Sequence, residues 1–81
     1  MLVTHKFSLS GRCPVNGDID YYAITVETDR MIEAHSMVST ARELLSAPTF
    51  QEDFTKALAS AIGAKVTTAC RHGHVFTEVT A

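Results

Sequence analysis

The sequence has few of the features that mark membrane or polynucleotide-binding proteins. No stretch approaches the run of about 18 apolar residues that a membrane-spanning helix needs. The seven Lys and Arg residues are balanced by nine Asp and Glu residues, and no basic run is present. Such a balance argues against a nucleic-acid backbone as the main partner. We therefore expect no membrane and no direct nucleic-acid partner.

Cysteine is also scarce, since the chain has only Cys13 and Cys70. Residues 1–6 lack the apolar segment of a secretory leader. Two cysteines in a chain without a leader are typical of free thiols in a reducing compartment. We expect unpaired thiols and a cytoplasmic protein.

Repeats, linkers and low-complexity segments are absent, so the 81 residues predict one domain over residues 1–81. A chain of this length buries only about 60 to 65 percent of its unfolded surface. Its own core is small, and we expect a homo-oligomer.

Two segments near the N-terminus predict strands by alternation of apolar and polar residues. The first runs from Val3 to Leu9 and the second from Tyr21 to Thr28. In the second, every other residue is a large apolar one, which predicts a buried face. That face comprises Tyr22, Ile24 and Val26.

The middle of the chain changes to helical spacing. One helix is predicted from Ile32 to Ser46, and the Ala-Pro pair that follows ends it. Thr49 and Glu52 have the spacing of a capping box, which predicts the start of a second helix ending at Gly63. The predicted apolar stripe of this helix comprises Phe50, Phe54, Ala57, Leu58, Ala61 and Ile62.

The segment from Ala64 to Thr80 is rich in Val and Thr, and its centre, residues 71–74, predicts a hairpin turn. The resulting order is strand, strand, helix, helix, strand, strand. It predicts an α+β fold, in which two antiparallel helices cover one face of a four-stranded antiparallel sheet.

The loop between the first two strands reads Cys-Pro-Val-Asn-Gly-Asp-Ile-Asp from Cys13 to Asp20. A thiol is a good nucleophile as its thiolate, and a carboxyl group nearby can move a proton. The alternative is structural, with Cys13 as a small hydrophobe and the acids as turn residues. Both interpretations are open from the loop alone.

This loop resembles the Cys-Pro-Val-Thr-Gly-x-x-Asp motif of the 7-cyano-7-deazaguanine reductases, the nitrile reductases of queuosine biosynthesis. Residues 31–37 resemble the family segment Val-Glu-Ser-Lys-Ser-Leu, and residues 50–53 resemble Phe-His-Glu-Asp. Residues 70–73, Cys-Arg-His-Gly, stand where the family has Pro-Arg-Gly-Gly. The resemblance implies the tunnelling fold, in which ββααββ units assemble into oligomeric barrels with a purine or pterin site between subunits.

The resemblance also implies roles for individual residues. Cys13 stands at the position of the nucleophile that forms a thioimide with the nitrile, and Asp20 at that of the general acid. Glu52 stands at the position of the glutamate that binds the deazaguanine. Glu33, at a second conserved acid, and Gln51, in place of the family histidine, are further candidates for substrate binding.

NADPH is the reductant of the family, and this chain departs from the family at the residues that are linked to NADPH. Two lysines linked to NADPH are replaced by His35 and Val38, so two positive charges are missing. His35 and Arg71 are the remaining candidates for cofactor contacts. Gln51 can form hydrogen bonds but cannot relay a proton as histidine does.

Three functions are therefore open. The first is NADPH-dependent reduction of the nitrile, and the second is formation of an amidine by attack of ammonia or another amine on the thioimide. The third is a tunnelling-fold oligomer that binds a deazapurine or pterin-like ligand without turnover. A zinc site at Cys70, His72 and His74 is the alternative to a solvated turn there, and we expect no metal.

Overall fold

Six regular elements follow one another in the predicted order in the computed structural model, which describes residues 1–81. The order strand, strand, helix, helix, strand, strand is confirmed, and so is the α+β class. No helix of the chain is long and apolar enough to cross a membrane. The elements are β1 (Val3–Arg12), β2 (Ile19–Thr28), α1 (Ala34–Leu44), α2 (Gln51–Ile62), β3 (Lys65–His72) and β4 (Val75–Thr80).

The four strands form one antiparallel sheet in the order β1-β2-β3-β4. Strand β1 continues past the predicted end at Leu9, because its last residues still pair with the start of β2. Gly11 is paired with Asp20, and Arg12 with Ile19. The β1–β2 hairpin is therefore long: its pairing continues to Arg12 and Ile19, whereas the last β2–β3 pair is Ala23 with Ala69.

Both helices cover one face of the sheet. A single apolar core lies between the sheet and the helices. The predicted buried face of β2 is confirmed, since its three apolar residues are almost fully buried. The ring of Tyr22 lies 5.2 Å from that of Phe54, centroid to centroid. The core comprises Tyr22, Ile24, Val26, Met37, Ala41, Leu45, Phe54, Leu58, Val66 and Cys70.

The predicted capping box is wrong. Helix α2 begins at Gln51, its N-cap residue is Phe50, and no side chain caps it. The Thr49 hydroxyl donates instead to the carbonyl oxygens of Leu44 and Ala47, at 3.3 and 2.8 Å, in the turn that joins the helices. The Glu52 carboxylate therefore takes no part in a cap and is exposed.

The buried face of α2 differs from the predicted apolar stripe and includes polar residues. Phe50 is 46% exposed and Ala61 is exposed, whereas Gln51 and Thr55 are buried. Burial of these polar side chains is tolerated because they are hydrogen-bonded. The Thr55 hydroxyl donates to the Gln51 carbonyl oxygen at 2.7 Å, and it shares a 2.6 Å hydrogen bond with that of Thr68.

The two chain reversals after α2 both use glycine with positive φ. Gly63 ends α2 with φ 64°, as the sequence predicts. Gly73, with φ 62°, and His74 form a two-residue turn between β3 and β4, with His72 paired to Val75. The turn is therefore shorter than residues 71–74, and β3 keeps its alternation as far as His72.

Replacement of Phe54 by alanine tests the position of the core. The ring is fully buried against Tyr22, so Phe54→Ala should lower the free energy of unfolding by about 3 to 5 kcal/mol. Phe76→Ala, at a residue that is 57% exposed, should cost less than about 1 kcal/mol. Urea unfolding followed by circular dichroism measures both, and equal losses would contradict the core described here.

Candidate active site

The loop that follows β1 is fixed by hydrogen bonds between its own ends. The Cys13 amide donates to the Asp18 carbonyl oxygen at 2.8 Å, and the Gly17 amide donates to the Cys13 carbonyl oxygen at 2.9 Å. Gly17 has φ 77°, a conformation that favours glycine. The Asn16 side chain accepts from the Asp18 amide at 3.0 Å. The backbone of Cys13 is therefore held in place, and its thiol is half-buried and unpaired.

Two adjoining cavities open beside this thiol. Their volumes are about 370 and 430 Å³, which is within the range of small-molecule sites. Four residues line both cavities: Cys13, Asn16, Asp20 and His72. Asp18, Ile19, Arg71 and Gly73 complete the smaller one, and Pro14, Val15, Phe50, Gln51, Glu52 and Thr77 complete the larger one.

Asp20 is the buried acid of the site. It lies at the start of β2, on the helix-facing side, and is 5% exposed. Its carboxylate makes no hydrogen bond within the protein, and its nearest basic atom is Nδ1 of His72 at 3.6 Å. Extension of the β2–β3 register places these two residues opposite each other. A buried carboxylate in this state is available to a ligand or to a proton.

The ring of His72 is oriented by the buried amide of Gln51. Oε1 of Gln51 lies 2.8 Å from Nε2 of His72, and the amide nitrogen of Gln51 is engaged elsewhere. That nitrogen donates to the hydroxyl and carbonyl oxygens of Thr68 and to the Thr77 carbonyl oxygen, at 3.0–3.2 Å. The amide oxygen is thus the acceptor, so neutral His72 carries its proton on Nε2. Its Nδ1 lone pair faces Asp20.

Two further polar groups lie beside Asp20 in the core. Burial, and then the charge of Asp20, raise the pKa of the Tyr22 hydroxyl, which is buried without a hydrogen-bond partner. The same two causes raise the pKa of the Cys70 thiol. Ligand atoms of Asp20, Cys70 and His72 all lie within 4.8 Å of one another. His74 lies in the turn instead, because the two-residue reversal ends the alternation of β3.

Most of the candidate residues predicted from the sequence meet at these cavities. Glu52 lines the larger cavity together with Cys13 and Asp20, and Arg71 lines the smaller one. Arg71 also stacks over the Phe76 ring, with 5.9 Å between the guanidinium carbon and the ring centroid. A thiol and a buried carboxylate thus line both cavities, with an exposed carboxylate added in the larger one and a cation in the smaller one.

Glu33 and His35 line neither cavity. The Glu33 carboxylate caps α1, accepting from the amides of His35 and Ser36. These backbone hydrogen bonds, Ser36 first, lower the pKa of Glu33 from 4.5 to about 2. Nδ1 of His35 lies 3.0 Å from the same carboxylate.

A separate cavity of about 400 Å³ lies on α1, lined by His35, Val38 and Arg42 among others. A dinucleotide phosphate there would find one permanent cation, Arg42. The amides at the N-terminus of α1, which would otherwise attract an anion, already bind Glu33. The residues of this surface therefore do not fit an NADPH phosphate.

Comparison with known proteins gives a structural likeness. No known protein family matches the sequence, and no curated protein is significantly similar to it. A crystal structure of the archaeosine synthase QueF-like in the apo form is similar, with a TM-score of 0.79 and 19% sequence identity. The match covers 99% of this chain and 90% of that chain. The chain has the tunnelling fold. This likeness establishes the fold alone. Inferences about chemistry depend on the residues that line the cavities.

Two features of the site in this tunnelling-fold chain were not predicted from the sequence. They are the pairing of His72 with Asp20 and the packing of Gln51 against β3 and β4. A signal for the first was present, because a two-residue turn at residues 73–74 puts His72 on the buried face two residues after Cys70. No local signal exists for Gln51, whose partners are 17 to 26 residues away in sequence.

The cap at Glu33 predicts a pH dependence of stability. A carboxyl group whose pKa is lowered by folding stabilises the protein above its unfolded pKa, and this stabilisation is lost as pH falls. The difference in unfolding free energy between the protein and Glu33→Gln should therefore be constant above pH 4.5 and shrink toward pH 2. Urea titrations across this range measure it. Glu78→Gln, at an exposed carboxylate that caps no helix, is the control and should not reproduce the loss.

Proposed function

We propose that this chain is a nitrile-handling enzyme that forms a covalent thioimide between Cys13 and a 7-cyano-7-deazapurine. The observation that carries the proposal is the presence of Cys13, buried Asp20 and exposed Glu52 around one cavity. The Cys13 thiol passes its proton to the Asp20 carboxylate, the sulfur bonds to the nitrile carbon as one carbon–nitrogen π bond opens, and the nitrile nitrogen receives the proton from Asp20. Thiol and nitrile combine in this step, and no group leaves.

Glu52 is the proposed recognition residue for the base. Its carboxylate is exposed at the larger cavity and is not engaged in a helix cap. A carboxylate accepts two parallel hydrogen bonds well, and the ring N–H and exocyclic amine of a deazaguanine offer two such donors. In this proposal Gln51 acts through His72, since both ends of its amide are bonded to the protein.

For the second step we propose attack of ammonia or another amine on the thioimide carbon. The sulfur of Cys13 leaves, the incoming nitrogen loses a proton to it, and an amidine results. Two observations favour this step over reduction: the α1 surface does not fit an NADPH phosphate, and the similar structure is described as an archaeosine synthase. Reduction and binding without turnover are outcomes that the experiments below distinguish.

The cavity is also proposed to lie at a contact between copies of this chain. Exposed apolar side chains line these cavities: Val15, 78% exposed, lines the larger one, and Ile19, 45% exposed, lines the smaller one. Phe50, 46% exposed, also lines the larger cavity. Exposed apolar residues grouped at a polar cavity are typical of interaction surfaces. A second subunit would then cover a bound base from the open side.

The first step predicts a covalent adduct. Incubation with 7-cyano-7-deazaguanine should raise the intact mass by that of one nitrile molecule, and peptide mapping should place the addition on Cys13. The adduct should be absent in Cys13→Ala and should form at least 100-fold more slowly in Asp20→Asn, which cannot give up a proton. Ligand-induced protection from unfolding without an adduct in the parent protein would favour the binding-only alternative.

The second step predicts dependence on an amine. With ammonium present, the released product should have the mass of the nitrile plus one ammonia, and NADPH alone should release nothing. A product with four additional hydrogens, accompanied by NADPH oxidation, would contradict the amidine proposal and favour the reductase. Ammonium supplied to Cys13→Ala is the matched control for uncatalysed addition.

A further inference from the structure

We propose that Asp20, Cys70 and His72 form a binding site for a thiophilic divalent cation, for which Zn²⁺ is the best match. Cys70 and His72 alternate on β3 and so share its buried face, and Asp20 lies on the neighbouring strand. Their sulfur, nitrogen and oxygen ligand atoms lie within 4.8 Å of one another. This set includes Asp20, which is distant in sequence, and excludes His74.

The state of Asp20 is an independent sign of a ligand. The residue is 5% exposed, and its carboxylate has no hydrogen bond within the protein, only the contact with Nδ1 of His72 at 3.6 Å. A buried charge of this kind is normally paired or coordinates a metal. The neighbouring Tyr22 hydroxyl is buried without a partner as well, so the protein itself does not satisfy the polar groups at this point.

The orientation of His72 is that of a metal ligand. Histidines that bind metals usually donate the other ring N–H to an oxygen atom, which fixes the ring and the tautomer. The amide oxygen of Gln51 fills this role at Nε2. Nδ1 of His72 then faces a carboxylate oxygen of Asp20 at 3.6 Å, and two lone pairs at this separation attract a cation between them.

The chemical nature of the three ligand atoms determines which ion binds best. Thiolate and imidazole favour zinc over Mg²⁺ and Ca²⁺, which prefer oxygen. Tetrahedral zinc with bonds of about 2.0 to 2.3 Å brings its ligand atoms to about 3.3 to 3.8 Å from each other. The Asp20 and His72 atoms are already 3.6 Å apart, so a closure of at most about 1 Å is needed elsewhere in the cluster. Three protein ligands leave a fourth position for another ligand, and two of the three, Asp20 and His72, line both cavities.

The site shares Asp20 with the proposed chemistry, although it does not depend on it. A bound cation occupies the carboxylate that would otherwise protonate a nitrile. Zinc and thioimide formation should therefore exclude each other, and zinc would act as an inhibitor of the first step. Binding itself can be measured without any nitrile.

The experiment is titration of the reduced, chelator-treated chain with Zn²⁺ by calorimetry and with Co²⁺ by absorbance. We expect one ion per chain and a thiolate-to-cobalt charge-transfer band. His72→Gln should weaken binding at least tenfold, and so should Asp20→Asn. His74→Gln is the matched control, because His74 is a histidine of the same hairpin outside the cluster, and it should bind as the parent does.

Two more variants separate a built site from adventitious binding. Gln51→Ala should lower the affinity about 10- to 100-fold, as expected when the partner that orients a ligand is lost. Cys70→Ser should abolish the charge-transfer band, and circular dichroism verifies that each variant is folded. The proposal is overturned if the parent binds no zinc, if His72→Gln and His74→Gln bind equally, or if the cobalt complex has no thiolate band.

Discussion

The hydrogen bonds of the Gln51 side chain are the constraint on which the site depends. They hold the first residue of α2 against β3 and β4, through Thr68 and Thr77, at distances of 3.0–3.2 Å. Glu52 is the next residue along the helix, so the same bonds place its carboxylate at the cavity. The amide oxygen then orients His72 toward Asp20. One buried side chain thus positions both the exposed and the buried polar groups.

Strand β2 connects this site to the apolar core. Its helix-facing residues change in character along the strand, from Val26 and Ile24 through Tyr22 to Asp20. The apolar end packs beneath the helices and provides rigidity, while the last position brings a carboxylate to the two cavities. Polar groups at the rim of a packed core are held more rigidly than groups on a free loop. The candidate acid is therefore part of the scaffold itself.

Features with a local period could be predicted from the sequence, and features that depend on distant partners could not. Alternation identified β1 and β2, the density of Val and Thr identified β3 and β4, and Gly63 marked the end of α2 as expected. The capping box failed because the Thr49 hydroxyl bonds to the preceding turn instead of to α2. The prediction of an apolar stripe on α2 was wrong at Gln51. Its amide is hydrogen-bonded to Thr68 of β3 and Thr77 of β4, which offsets the cost of burying it. The cavity required knowledge of which strand ends meet.

In the loop after β1, the position of Cys13 and the shape of the cavity depend on different residues. The paired hydrogen bonds between Cys13 and the far end of the loop fix the backbone of Cys13 through main-chain atoms alone. Val15 lines the larger cavity and is exposed, so its side chain contributes little to the core. Substitution there can reshape the mouth of the cavity while the thiol stays in place. The shape of the cavity is thus free to diverge at one position without a change in the position of the Cys13 backbone or in folding.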